Sequence, residues 1–495
     1  MRNRNFIFTT LVLALSGCGT LTPEAIVLND LHSRLNVTVV SELFYPKDIK
    51  EVVSTIKHAK RQQKAISISG GRHAMGGQQF GEGTLHISMK EMNDVLNFDR
   101  EKGIVRVEAG IEWPELIDYL IETQKDAWPQ WGIVQKQTGA NRLSIGGALS
   151  ANVHGRGVKF KPIVQDVESF TLVNADGNIM NVSRQENPEL FQLVIGGYGL
   201  FGVIATVDLR LQQRFKVERV VEVIPIEELP EKARKRLEDG FLYGDFQYKT
   251  DENAEDFMRV GVFSTYKPVP LDTPIPEKKP SLEYERWNKL VLLAHTDKKE
   301  AFKFYSQYYL STNGQVYWSD SHQLGFYDEK YIEFLKDNDP NYTEGSLMIT
   351  EAYVPRERIN VFIEKIADDA KTYDFNIIYG TMRLIEQDDE SFLAWAKENY
   401  ACVIFNLWVE HTEEGLDKAK KNFQRIIDRA IELGGSYFLT YHRWARKDQV
   451  LKAYPRFPEF LKLKLKYDPE ERFQSDWYRH YKKMFAEEIA DISRQ

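Results

Sequence analysis

The stretch Ser67-Ile68-Ser69-Gly70-Gly71-Arg72-His73-Ala74-Met75-Gly76-Gly77-Gln78 constrains this chain more than any other. Upstream, Ile49, Val52, Val53, Ile56 and Ala59 repeat at i, i+3, i+4 and i+7, which predicts a helix lying on a sheet. Ala65–Ser69 then reads as a strand that delivers the chain to the turn. Four glycines around one histidine let backbone N–H groups come close to an anion. The histidine puts a nucleophilic nitrogen at the same point. The pattern predicts a loop that holds, and can tether, a phosphate-bearing cofactor.

Two further glycine clusters follow. One is Gln137-Thr138-Gly139-Ala140-Asn141-Arg142-Leu143-Ser144-Ile145-Gly146-Gly147-Ala148, running on to Asn152-Val153-His154-Gly155-Arg156-Gly157. The other is Ile195-Gly196-Gly197-Tyr198-Gly199-Leu200-Phe201-Gly202. The latter satisfies GxGxxG, but the dinucleotide fingerprint needs a helix after it. Val203–Leu211 is β-branched and alternating, so it predicts a strand, and an NAD-type site is excluded there. Val167–Asn174 and Ile179–Ser183, joined by Ala175-Asp176-Gly177-Asn178, predict a hairpin. These elements set a first domain at 34–212.

The remainder, 213–495, has another texture. Tyr243–Lys249 and Met258–Tyr266 alternate like paired strands. Residues 267–280 carry five prolines and predict a loop. Val354–Asp369 and Leu416–Leu433 are amphipathic, the second closing at Gly434-Gly435. The aromatic tail at Phe473, Trp477, Tyr478 and Tyr481 predicts a packing seam.

With 495 residues the chain has room for two or three domains, and a net charge of -8 argues against a nucleic-acid partner. There is no Walker A loop, paired CxxC or HExxH, so no metal site is expected. Arg2 and Arg4, the apolar run Phe6–Leu15 and Leu15-Ser16-Gly17-Cys18 predict a signal peptide over 1–18 ending in a lipobox. Cys18 would be the lipidated residue and 19–33 a tether. Gly19 is not the inner-membrane retention aspartate, so the expected address is the periplasmic face of an outer membrane. Only Cys402 would remain, a buried small hydrophobe by its apolar surroundings.

Together the three clusters resemble the FAD-binding domain of the vanillyl-alcohol oxidase/p-cresol methylhydroxylase (PCMH) superfamily, closest to its alditol/aldonolactone oxidase branch. The resemblance implies an α+β protein: a PCMH-type FAD-binding domain, then an α+β substrate (cap) domain with a large antiparallel sheet and a C-terminal segment returning to the FAD. It implies that Gly70, Gly71, Arg72, His73, Ala74, Met75, Gly76, Gly77 and Gln78 wrap the pyrophosphate, with His73 bonded to the flavin 8α carbon. Ala74 stands where the family carries serine. Thr138, Gly146, Gly147, Ala148, Asn152, His154 and Gly155 would form a second FAD segment, and Gly197, Gly199, Gly202, Val203 and Ile204 a third. Arg383 matches the arginine placed above the flavin, although the acidic residue expected before it is Thr381. Thr440–Arg446 resembles a His-Trp-Gly-Lys segment, which makes His442 the expected base. Tyr467-Asp468-Pro469 and Arg472-Phe473 resemble the closing segment. The implied activity is oxidation of an alcohol CH–OH group on a sugar, polyol or lactone-like molecule, with oxygen or another acceptor taking the electrons. A cytokinin-dehydrogenase-like amine oxidase and a non-catalytic, lipid-anchored binding protein on the same scaffold are the alternatives.

Overall fold

The computed structural model describes residues 25–277, 280–325 and 330–490. Cys18, the signal sequence and Lys278-Lys279 lie outside the described residues.

The helix predicted upstream of the glycine loop runs from Ile49 to Arg61, its first turn capped by the Asp48 side chain, which accepts from the Glu51 N–H. It is the crossover between strands Glu42–Phe44 and Ile66–Ser69, which flank Leu85–Ser88 in a parallel three-stranded sheet. Val52, Ile56 and Ala59 bury their stripe against Leu85 and Ile87. The strand Ile66–Ser69 therefore has a fixed end, and the loop leaves from that end.

Behind it stands an antiparallel sheet in the order Ile179–Ser183, Val167–Val173, Val203–Gln213, Ile104–Glu108, Val95–Asp99. The predicted hairpin is present. The chain after Gly202 is a strand of eleven residues, as its alternation requires.

The second lobe is built on an eight-stranded sheet whose central strands include Tyr243–Tyr248, Ile377–Ile385, Tyr400–Glu410 and Gly345–Pro355. Helices Ile359–Tyr373 and Glu413–Glu432 cover one face. Strand alternation assigns the side chains. On Tyr400–Glu410, Ala401, Val403, Phe405 and Leu407 pack under those helices. Ile404 and Asn406 point the other way, into a cavity. The expected α+β architecture with a large antiparallel sheet is what forms.

The structure departs from the sequence expectations in four places. Ordered chain starts before Asn36: Ile26–Leu28 pairs with Thr38–Val40, inside the stretch read as tether. One carboxylate, Asp30, organises the bend between them by accepting from the N–H groups of His32 and Ser33 and from the Asn36 amide at 3.0, 2.6 and 2.9 Å. The helix expected over Val354–Asp369 begins at Ile359, because Val354 and Pro355 still pair with Ala401 and Tyr400. The strand expected to stop at Tyr266 continues through Pro268 to Val269. Helices Tyr284–Thr296 and Lys298–Ser311 were not apparent from periodicity.

The C-terminal segment returns to the first lobe. The Ile66 N–H donates to Arg472 O (2.6 Å), the Gln474 N–H donates to Ile66 O (2.8 Å), and Phe473 lies beside Ile66 as a parallel bridge. The tail aromatics form the expected seam: Phe473, Trp477, Tyr478 and Tyr481 are all buried. Its turn is held by Asp468, which pairs with the fully buried Lys464 ammonium and accepts from the N–H groups of Arg472 and Phe473, both at 2.8 Å. Replacing Asp468 with Ala leaves a buried ammonium without its counter-charge, at a cost of about 3–5 kcal/mol. Thermal unfolding of Asp468→Ala should show a clearly lowered midpoint; a midpoint equal to the parent's would refute this account of the turn.

Candidate active site

A cavity of about 810 Å³ opens between the two lobes. Its first wall is the glycine loop. A methyl on Gly70 would lie 1.8 Å from Ser144 Oγ, and one on Gly71 would lie 2.5 Å from Arg142 O. Only glycine lets the first and second clusters touch. Arg72 takes a left-handed φ of 57°. The N–H groups of Gly71, Arg72, His73 and Ala74 have no acceptor among the described residues. Just beyond, the chain is pinned. The Met75 and Gly76 N–H groups donate to Thr440 O at 3.2 and 3.1 Å. The Gln78 amide donates to Leu439 O and Thr440 O at 2.8 and 3.0 Å. The Asn36 amide donates to Met75 O at 2.8 Å. A run of unpaired N–H groups in a turn is an anion cradle; pinning its far end keeps it open.

His73 stands in that cradle. Its Nε2 bonds to Arg142 O at 2.8 Å, so Nε2 carries the hydrogen. Nδ1 is then the acceptor for His32 Nε2 at 2.8 Å. Burial, with the adjacent His32 and Arg72, pushes the His73 pKa down to about 3. The ring is therefore neutral at ordinary pH, and its Nδ1 lone pair is engaged by His32. No sequence signal pointed to His32, which comes from the bend that Asp30 organises.

The second cluster supplies the floor. Ser144 caps the helix Ile145–Ala151 by accepting from the Gly147 N–H. Gly146 and Gly147 line the cavity, as does Gly139, where an added methyl would meet nothing within 4 Å. From the third cluster Gly199, Gly202 and Ile204 reach the cavity. Other expected contacts are placed differently. Met75, Gly76 and Gly77 turn toward the C-terminal segment, and Ala148, Gly197 and Val203 pack beneath the surface. Asn152 is a left-handed helix cap whose amide donates to Asp388 at 2.8 Å, so its role is to join segments.

The opposite wall comes from the eight-stranded sheet. Arg383 bridges to the second cluster, with Nη2 on Thr138 Oγ1 at 2.6 Å and Nη1 on Gly155 O at 3.3 Å. Beside it, buried Glu351 accepts from His154 Nε2 at 2.9 Å and from the hydroxyls of Tyr353 and Tyr441, both at 2.7 Å. Burial alone would raise its pKa; the His154 charge and these donors hold it at about 2. Cys402 Sγ lies 3.8 Å from both His154 and Glu351. Burial pushes that thiol well above its ordinary value. With both Glu351 oxygens taken by donors and the thiol protonated, the cluster is a closed hydrogen-bonded network.

His442 requires a correction. It is 2% exposed, stacks on Phe423 at 4.8 Å, and does not line the cavity. Burial pushes its pKa down to about 3. Its neighbours Thr440 and Tyr441 face the cavity instead. The chain turns at Leu439-Thr440 and bends at Tyr441, and the His442 ring falls in the core between Phe423 and Trp444. Arg446, in the same segment, pairs with Asp428 and Asp448 away from the cavity.

Residues 40–183 match the family described as an FAD binding domain. That stretch is similar to an FAD binding domain. FAD is its cofactor, and the open cradle at Gly71–Ala74 and the methyl-free floor at Gly139 fit a pyrophosphate beside a flat ring. The chain is similar to L-gulonolactone oxidase of Mus musculus, with 31% identity over 35% of this chain and 38% of the relative. The Bos taurus enzyme of that name is 28% identical over 43% of this chain and 46% of the relative. L-galactono-1,4-lactone dehydrogenase of Brassica oleracea is 28% identical over 42% of this chain and 34% of the relative. The matches thus span less than half the length of each of these relatives.

Gly70→Ala tests the cradle. The added methyl pushes the first and second clusters apart, so the purified variant should carry less than a tenth of the parent's flavin per chain (roughly a 1.4 kcal/mol loss of affinity or more). Flavin absorbance against protein concentration reads this directly, and parent-like occupancy would rule out the contact's importance.

Proposed function

We propose that the chain is an FAD-dependent oxidoreductase that oxidises a CH–OH group of a sugar, polyol or lactone-like substrate. The observation that carries this reading is the shared cavity, in which the anion cradle at Gly71–Ala74 and the Arg383 guanidinium line a single space. The lactone-oxidising relatives support the substrate class. Bound FAD supplies the hydride acceptor. The protein's part is orientation and electrostatics. The Gly71–Ala74 N–H groups would hold the pyrophosphate. Arg383, fixed by Thr138 and the Gly155 carbonyl, would hold a substrate oxygen and stabilise negative charge developing near it. Glu351 stays ionised far below neutral pH, so it is a fixed charge that orients His154 and Tyr441 and is too weak a base to take a hydroxyl proton. Electrons would leave to oxygen or another acceptor. A covalent bond from His73 to the flavin agrees with its neutral ring.

We also infer that the chain is exported and acylated at Cys18, which would place it at the periplasmic face of an outer membrane. The lipobox and charged n-region support this. No helix among the described residues is long and apolar enough to cross a membrane.

The deciding experiment is an anaerobic substrate panel on the yellow, purified protein. Sugar alcohols or lactones should bleach the flavin band. Bleaching by secondary amines alone would favour the amine-oxidase alternative, and no bleaching at all a binding protein. In acid precipitation the flavin should stay with the parent chain and be released from His73→Ala; a flavin still covalent in that variant would move the link elsewhere. Metabolic labelling with a fatty-acid analogue should mark the parent and spare Cys18→Ser, and equal labelling of both would reject acylation at that residue.

A further inference from the structure

The cavity extends from Arg383 into a chamber beneath the eight-stranded sheet, flanked by helix Lys298–Ser311. Two guanidinium groups occupy it. Arg156 comes from the first lobe, one residue after the Gly155 carbonyl that Arg383 touches. Arg219 comes from strand Lys216–Pro225. Each is 8% exposed, and each packs over the Tyr266 ring, at 5.0 and 5.1 Å.

Among the described residues their surroundings do not balance their charge. Arg156 has Asp245 at 3.6 Å. Arg219 donates only to neutral oxygens, Tyr266 Oη and Thr312 Oγ1, both at 2.9 Å. No carboxylate of the described residues pairs with it. Asp245 and Glu351 are the only carboxylates among the described residues lining the cavity, and Glu351 already serves His154. Among the described residues these two cations face one anion, and a buried charge without a counter-ion is costly. The tyrosine rings offset part of this by cation–π attraction.

A second, independent observation lies alongside. His322, 4% exposed and set 4.5 and 4.6 Å from the Tyr243 and Tyr266 rings, has no partner for either ring nitrogen. Arg156 Nε, Asp245 Oδ1 and Gln247 Oε1 are also buried without partners. Donors and acceptors left open together suit hydroxyl groups, each of which both donates and accepts.

We propose that the substrate is a sugar acid: a polyhydroxylated chain whose carboxylate pairs with Arg219 and whose hydroxyls satisfy Asp245 and His322. A monoanion suits the positive charge left unbalanced among the described residues. This rests on the CH–OH oxidation proposed above. The carboxylate is a handle and does not react. At the oxidised carbon the C–H and O–H bonds break and a C=O bond forms. The hydride, which carries both electrons of the C–H bond, would pass to bound FAD, which would be reduced, and the hydroxyl proton would leave to solvent.

The test uses the FAD-loaded protein and ligands matched in carbon chain: an alditol and an aldonolactone against the corresponding aldonate and uronate. Calorimetry measures binding, and anaerobic bleaching measures oxidation. The aldonate or uronate should bind tighter than its neutral partner and bleach the flavin. Arg219→Gln should lower that preference for the anion about thirtyfold or more, and Arg219→Lys should restore part of it. Neutral ligands binding as tightly as their anions to the parent protein would overturn the inference, whatever the variants do. If the neutral ligands then bleach the flavin, the oxidoreductase reading survives that result. If nothing bleaches it, that reading fails, and the calorimetric preference still decides whether the chamber selects a carboxylate.

Discussion

The peptide oxygen of Thr440 holds this molecule's site together. It accepts from two consecutive N–H groups of the glycine loop and from the Gln78 amide, a residue 362 positions away. Because those donors are used, Met75 and Gly76 are fixed, and the four residues before them line the cavity with N–H groups that have no acceptor among the described residues. Without the clamp, a glycine-rich loop would gain entropy by closing on itself. The clamp in turn depends on the C-terminal segment being docked, through Ile66 and Phe473, along the strand from which the loop emerges. The family match ends at residue 183, yet the cradle is finished by residues that close the chain.

Sheet alternation does the remaining sorting. On the strand Tyr400–Glu410 one set of side chains builds the core with two amphipathic helices, and the other set builds the cavity wall. Charge follows the same division. The first lobe contributes backbone N–H groups and Arg156; the second contributes Arg219 and Arg383. The cavity is therefore electropositive from two directions, although the chain as a whole carries a net charge of -8. Local field and overall charge are independent quantities here.

What could be read from the sequence was what glycine and periodicity encode. Gly70, Gly71, Gly146 and Gly202 mark places where backbone passes against backbone or side chain, and no other residue fits. The strand after Gly202 was legible from its alternation. Arg383 was located by its resemblance and does sit at the second cluster. His442 was misplaced because resemblance fixes a segment, whereas which of its side chains faces the cavity is decided by how that segment turns at Leu439-Thr440. Tyr441, one position away, has the exposed side. His32, Arg219 and His322 left no local mark. Their roles arise only when a strap, a strand and a short helical turn converge, and single-sequence patterns carry no information about that convergence.

The clamp at Thr440 also sets an order of events. During synthesis the glycine loop emerges more than three hundred residues before its anchor. A nascent chain can build the parallel sheet and its covering helix early, since their contacts are local. The cradle can close only after the chain has been made through Thr440 and the segment at Phe473 has folded back onto Ile66. Closure of the cradle therefore waits on residues made long after the loop itself, and a chain lacking them leaves the loop without its anchor.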